Sequence, residues 1–159
     1  SSQSRGLGDV YKRQNLYRLM TVHLKKLCVG AKDVRDLFDR QKMYRDRYKE
    51  TIHVTRMFPK QHEDLINGGS IYWIFKGYIR ARQNILDIKK FVGMDKVKRC
   101  KILLSDEIML TIPKKSRPFQ GWRYLKNKDI PKDDILFNSE KFDNYNEDLK
   151  AELSKLGLI

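Results

Sequence analysis

The stretch GGSIYWIFKGYIRARQNILDI, residues 68–88, decides the fold. Ile71, Tyr72, Trp73, Ile74 and Phe75 follow one another without a polar interruption, the pattern of a central strand covered on both faces. After Gly77 the pattern becomes two-sided, with Tyr78, Arg80, Arg82 and Asn84 in one row and Ile79, Ala81, Gln83 and Ile85 in the other. Gly77 therefore marks a bend or a hairpin within strand-forming sequence.

Outward from this centre, the signals alternate between strand and helix. HLKKLCVG (23–30) reads as a first strand, with Leu24, Lys26 and Cys28 on one face and Lys25, Leu27 and Val29 on the other. From Lys32, Val34, Leu37, Phe38, Gln41, Tyr44 and Tyr48 recur at spacings of three and four, and Asp33 can cap the helix they predict. TIHVTRMFP (51–59) predicts a second strand that stops at Pro59, and KQHEDLING (60–68) a short helix closed by Gly68. Beyond the centre, RCKILLSDEIMLTIP (99–113) supplies one or two strands and PFQGWRYLK (118–126) the last. DLKAELSKLG (148–157) predicts a closing helix with Leu149, Leu153 and Leu156 as its apolar stripe. These elements predict one α+β domain built on a curved, mostly antiparallel sheet or a partly closed small barrel with flanking helices. A ferredoxin-like open sheet is the alternative.

The chain has 159 residues, 40% of them hydrophobic, enough for one domain with a core. Its expected divisions are a non-native or disordered segment at 1–19, the α+β domain at 20–136 and a helical extension at 137–159. SSQSRGLGDVYKRQ (1–14) has no periodicity and looks like a translated adaptor, with natural sequence expected to begin near Met20. Within it, Arg5, Lys12 and Arg13 stand against Asp9, which leaves +12 of the net charge of +14 in the rest of the chain. Such a surplus, 34 Lys and Arg against 20 Asp and Glu, favours polyanionic partners, nucleic acid or an anionic surface. No apolar run reaches membrane-spanning length, so the expectation is a cytoplasmic protein with no membrane partner. Cys28 and Cys100 lack the paired spacing of a zinc site or disulfide framework and read as buried small hydrophobes. No cofactor or metal is called for, and oligomeric state is left open.

Two arrangements point toward chemistry. Arg80 and Arg82, two residues apart on a strand, would stand about 6.6 Å apart on one face, near the spacing of successive phosphates. The plain alternative is a solvated outer face. In RPFQGWRYLK (117–126), Gln120, Trp122 and Tyr124 alternate to one side and Phe119 and Arg123 to the other, and the rings beside Arg117 and Lys126 combine ring, amide and cation as an unpaired base requires. Core packing of Trp122 is the alternative there. The resulting expectation is an RNA- or modified-nucleotide-binding groove, with Arg80, Arg82, Arg117 and Arg123 on phosphate. Tyr72, Trp73, Trp122 and Tyr124 would stack, and Gln83 and Gln120 would read base edges.

Catalysis has less support. His53 and Thr55 in HVTR form half of a two-histidine phosphoesterase arrangement, but the matching position near His23 is Lys25. If the chain were a hydrolase or transferase acting on a nucleotide or modified nucleoside, His53, Arg56, Lys60 and Arg82 would have to converge on one cleft. A third alternative is an adaptor whose basic surface meets an acidic protein. No phosphate-binding loop or nucleophile elbow is present.

HLKKLCVG, HVTRMFPK, GGSIYWIFKGYIRARQNILDI, RCKILL and RPFQGWRYL, in this order, closely resemble a bacterial, mainly alphaproteobacterial family, domain of unknown function 1489. The resemblance runs from about Met20 to Asp134 and is weaker beyond Phe137. It implies a cytoplasmic protein and carries over no catalytic residue. The strand order is also loosely similar to pseudouridine-synthase-and-archaeosine-transglycosylase-like barrels, a likeness of fold alone.

Overall fold

The computed structural model describes residues 21–159, so the readings made for 1–19 and for Met20 lie outside the described residues. Strand β1 (Val22–Leu27) leads into helix α1 (Val34–Tyr48), strand β2 (Ile52–Thr55) and the short helix α2 (His62–Ile66). Strands β3 (Ser70–Phe75), β4 (Tyr78–Val92), β5 (Lys98–Leu104), β6 (Met109–Lys115), β7 (Trp122–Lys126) and β8 (Asp133–Leu136) follow, and helix α3 (Glu147–Lys155) closes the chain.

These elements form an 8-stranded sheet in the order β2-β5-β4-β3-β1-β7, with β6 pairing β4 and β8. Among the described residues β1 and β3 run parallel and the other pairs antiparallel. The sheet is mixed, mostly antiparallel and open, which bears out the α+β expectation; it does not close into the small barrel that was one of the expected forms.

Local sequence explains much of this. Lys76 and Gly77 both take positive φ, 49° and 81°, and make the two-residue turn of a hairpin between Phe75 and Tyr78. Asp33 accepts the Asp36 N–H and caps α1, whose buried face is Val34, Leu37 and Gln41. Gly69 is needed for space, since a Cβ there would lie 2.5 Å from the carbonyl oxygens of Leu65 and Val22. Cys28 and Cys100 are both buried, as expected.

The two sides of the sheet are covered differently. On one, Leu24, Ile71, Trp73, Phe75, Ala81 and Leu104 pack with Val34 and Leu37 of α1 and Leu65 of α2 in the main core. On the other, Tyr72, Ile74, Ile79 and Leu125 form a smaller cluster that only loop and strand residues cover, Phe119 and Ile130 among them. The stripe expected for α3 is not its buried face. Ala151 is buried, whereas Leu149 and Leu156 are exposed. That helix is held instead by polar contacts, including Lys150 with Asp134 and the Ser154 hydroxyl donating to the Pro113 carbonyl.

Candidate functional site

Two clefts open beside the smaller cluster. The first, of about 670 Å³, gathers side chains from β1, β3, β4 and β8 and the loop after β7. Its centre is Arg82, which makes a two-pronged ion pair with Asp133, both N–H···O distances being 2.7 Å. The same guanidinium donates to Asn84 Oδ1 at 2.9 Å and to the Ser70 hydroxyl at 3.2 Å. Asp133 in turn strengthens the hold of Arg82 on its proton.

His23 forms the cleft's inner wall. Its Nδ1 accepts the Ser70 backbone N–H at 3.0 Å, so the neutral ring carries its proton on Nε2, placed 3.1 Å from Asn127 Oδ1. Burial lowers its pKa, the Asn127 bond opposes this, and Arg82 lowers it further. The ring is therefore neutral near pH 7 with its lone pair already engaged. Tyr72 meets His23 edge-on at 5.4 Å, and burial pushes its phenol up to about 12, so it stays a hydrogen-bond donor. Such a cleft holds fixed donors and acceptors, with no imidazole nitrogen free to take a proton.

The second cleft, of about 400 Å³, is lined by Lys25, Lys114, Lys115, Lys126 and Lys128 around Ile79 and Leu125. Among the described residues none of these five lysines has a carboxylate within salt-bridge distance. Lys114 donates to the backbone carbonyl of Asp129. Lys25 and Arg123 both lie over the Phe119 ring, at 5.5 and 4.5 Å from its centre. Residues 126–133 wall both clefts, so the two adjoin.

The expected groove does not assemble. Its premise was that Arg80 and Arg82 share a face, and a β-bulge breaks it: Ile79 pairs Ile74, but Ala81 already pairs Trp73 and Arg82 pairs Tyr72. Arg80, the extra residue, is 5% exposed and bonds the Phe75 carbonyl and Glu147 of α3. Tyr72, Trp73 and Gln83 are interior, Gln83 joining the Trp73 indole to Gln41 of α1. Trp122 is buried with its indole N–H on the Met57 carbonyl, and the Tyr124 hydroxyl accepts the Gln61 N–H. These rings therefore pack inward, although Tyr72 also lines the polar cleft. Arg117, Gln120 and Arg123 are exposed, as a contact surface requires.

The convergence that an enzyme needed is also missing. His53 lines a crevice with Lys26 and Arg40, Arg82 lines the polar cleft, and Arg56 and Lys60 lie exposed on the chain after β2. Among the described residues no group of three His, Cys, Asp or Glu side chains could hold a metal ion. Nor is any of their helices long and apolar enough to cross a membrane.

Sequence reading missed the residues that do come together. His23, Ser70, Asn127 and Asp133 lie 104 residues apart at the widest hydrogen bond, so no local spacing links them. The lysine cleft was more accessible, because Lys114–Lys115 and Lys126–Lys128 are visible basic doublets on either side of the PFQGW segment.

No curated protein and no solved structure matches the chain. A profile described as "Protein of unknown function (DUF1489)" matches residues 24–159, which includes α3 and the tail beyond Phe137. On that match over most of its length, the chain belongs to the DUF1489 family.

Proposed function

We propose that this protein binds RNA across the side of its sheet opposite α1 and α2, with the five-lysine cleft taking the phosphate backbone and the adjoining Arg82 cleft taking one nucleotide, modified or not. The observation that carries the reading is a cleft lined by five lysines and a single carboxylate residue, Asp129, with none of the lysines within salt-bridge distance of a carboxylate among the described residues. Unpaired ammonium groups are hydrated and free to exchange their counterions for phosphate, the usual source of nucleic-acid affinity. Arg123, exposed above Phe119, extends the same surface. In the Arg82 cleft, Asn84, Asn127 and the Tyr72 hydroxyl offer the amide and hydroxyl groups that an unstacked base or ribose requires. The neutral, fully engaged His23 favours binding over catalysis.

Charge reversal tests this directly. Lys114→Glu/Lys126→Glu is expected to weaken binding of a labelled single-stranded RNA by more than about tenfold at moderate salt. Lys42→Glu/Lys98→Glu, the same change of charge at exposed positions outside both clefts, is the control and should change affinity little. Equal losses in the two variants would reduce the effect to net charge and remove the site.

A further inference from the structure

Away from both clefts, β1, α1 and β2 enclose a crevice of about 110 Å³ between Lys26, Cys28, Arg40, Gln41, His53 and Trp73. The Nε2 atom of His53 is buried and has no hydrogen-bond partner. Buried polar nitrogens in folded proteins are nearly always paired, so its surroundings matter. Trp73 meets the imidazole edge-on at 5.3 Å, but its indole N–H is given to Gln83. Gln41 is likewise engaged by Gln83 through both ends of its amide. What remains around the nitrogen is cationic. Lys26 and Arg40 both act electrostatically on the ring, and among the described residues neither has a carboxylate within salt-bridge distance. Asp36 is near enough to act on Cys28, and its carboxylate accepts the Lys32 N–H.

We propose that this crevice is a binding site for a small oxyanion, a phosphate ion or the terminal phosphate of a nucleotide. Arg40 supplies a planar pair of donors, Lys26 an ammonium, and His53 a third donor through its Nε2–H tautomer. The volume exceeds the roughly 30 Å³ share of one water, while a water would leave both cations uncompensated. The site also has a built-in signature. Burial first, then Lys26 and Arg40, hold the His53 pKa down at about 4. A bound anion offsets those two cations, so the His53 pKa rises when the site fills.

The test is titration of the full chain with inorganic phosphate, following the ring nitrogens of His53 by two-bond ¹H–¹⁵N correlation at ionic strength matched with chloride. His53 signals are expected to shift and saturate with a dissociation constant of about 10 mM or below, while His23 signals stay in place. Arg40→Gln, at an exposed position that leaves the core intact, is expected to weaken binding at least about tenfold. Separate arms use adenosine 5′-monophosphate and a 5′-phosphorylated oligonucleotide. Tighter binding of either than of phosphate assigns the site to a terminal phosphate, and binding of phosphate alone assigns it to the free ion. The proposal is overturned by no His53 shift with any of the three at about 50 mM, by the same shift with chloride, or by unchanged affinity in Arg40→Gln.

Discussion

Gln83 uses every proton and lone pair of its amide. Its Oε1 accepts from Gln41 Nε2 and Trp73 Nε1, and its Nε2 donates to Gln41 Oε1 and the Ser105 carbonyl, all at 2.8–3.0 Å. An isosteric apolar side chain would strand all four partner groups in the core. Gln83→Leu is expected to lower stability by about 3 kcal/mol in urea denaturation, against a loss below about 1 kcal/mol if the network contributes little. His53 makes stability depend on pH. Its pKa falls from 6.5 to about 4 on folding, so between those values the unfolded chain binds more protons. The stabilisation is complete above pH 6.5 and is lost as pH falls toward 4, by roughly 3 kcal/mol from this residue. His23, lowered in the same direction, adds the same sign. His53→Gln should flatten the curve of urea midpoint against pH in that window, and an unchanged curve would assign the acid sensitivity elsewhere.

At the level of elements, α3 is fixed by charge more than by apolar contact. The Arg80 guanidinium, 5% exposed, lies 3.3 Å from Glu147, whose carboxyl is pushed up by burial and pulled back down by that arginine. Glu147→Ala leaves a buried cation unpaired and is expected to cost about 3 kcal/mol in thermal or urea unfolding. Arg80→Met/Glu147→Leu removes both charges and should cost clearly less; equal losses would place the stabilisation in packing. Most of the strands were legible because their signals are local. β-Branched runs, Gly77 in a hairpin turn and Asp33 at a helix start each act within a few residues. Two features were not. The bulge at Arg80 is a property of how β4 meets β3, and the RARQN alternation carries no mark of it. Strand β8 is four residues long and opens with two carboxylates, so its sequence reads as loop until Asp133 finds Arg82 51 residues away. The site failed to read out for the same reason, since its defining pairs are non-local.

For the molecule as a whole, the sheet divides labour between its sides. Helices α1 and α2 cover one, where Trp73, Trp122 and Tyr124, first read as stacking platforms, are packed, while Tyr72 lies on the other. The other carries the polar and lysine clefts side by side, and there the excess positive charge has an unpaired focus. Arg80 and Arg82 are taken up by Glu147 and Asp133, so in the proposed RNA-binding reading the phosphate contacts fall chiefly to the lysines. The most direct measurement is the affinity for single-stranded RNA as a function of salt, wild type beside Lys114→Ala/Lys126→Ala. Binding through the five lysines gives a log–log slope of magnitude about 3.5 in the wild type, reduced by about 1.4 in the double variant. Absence of binding at low salt, or a slope the double variant leaves unchanged, would contradict RNA recognition on this face.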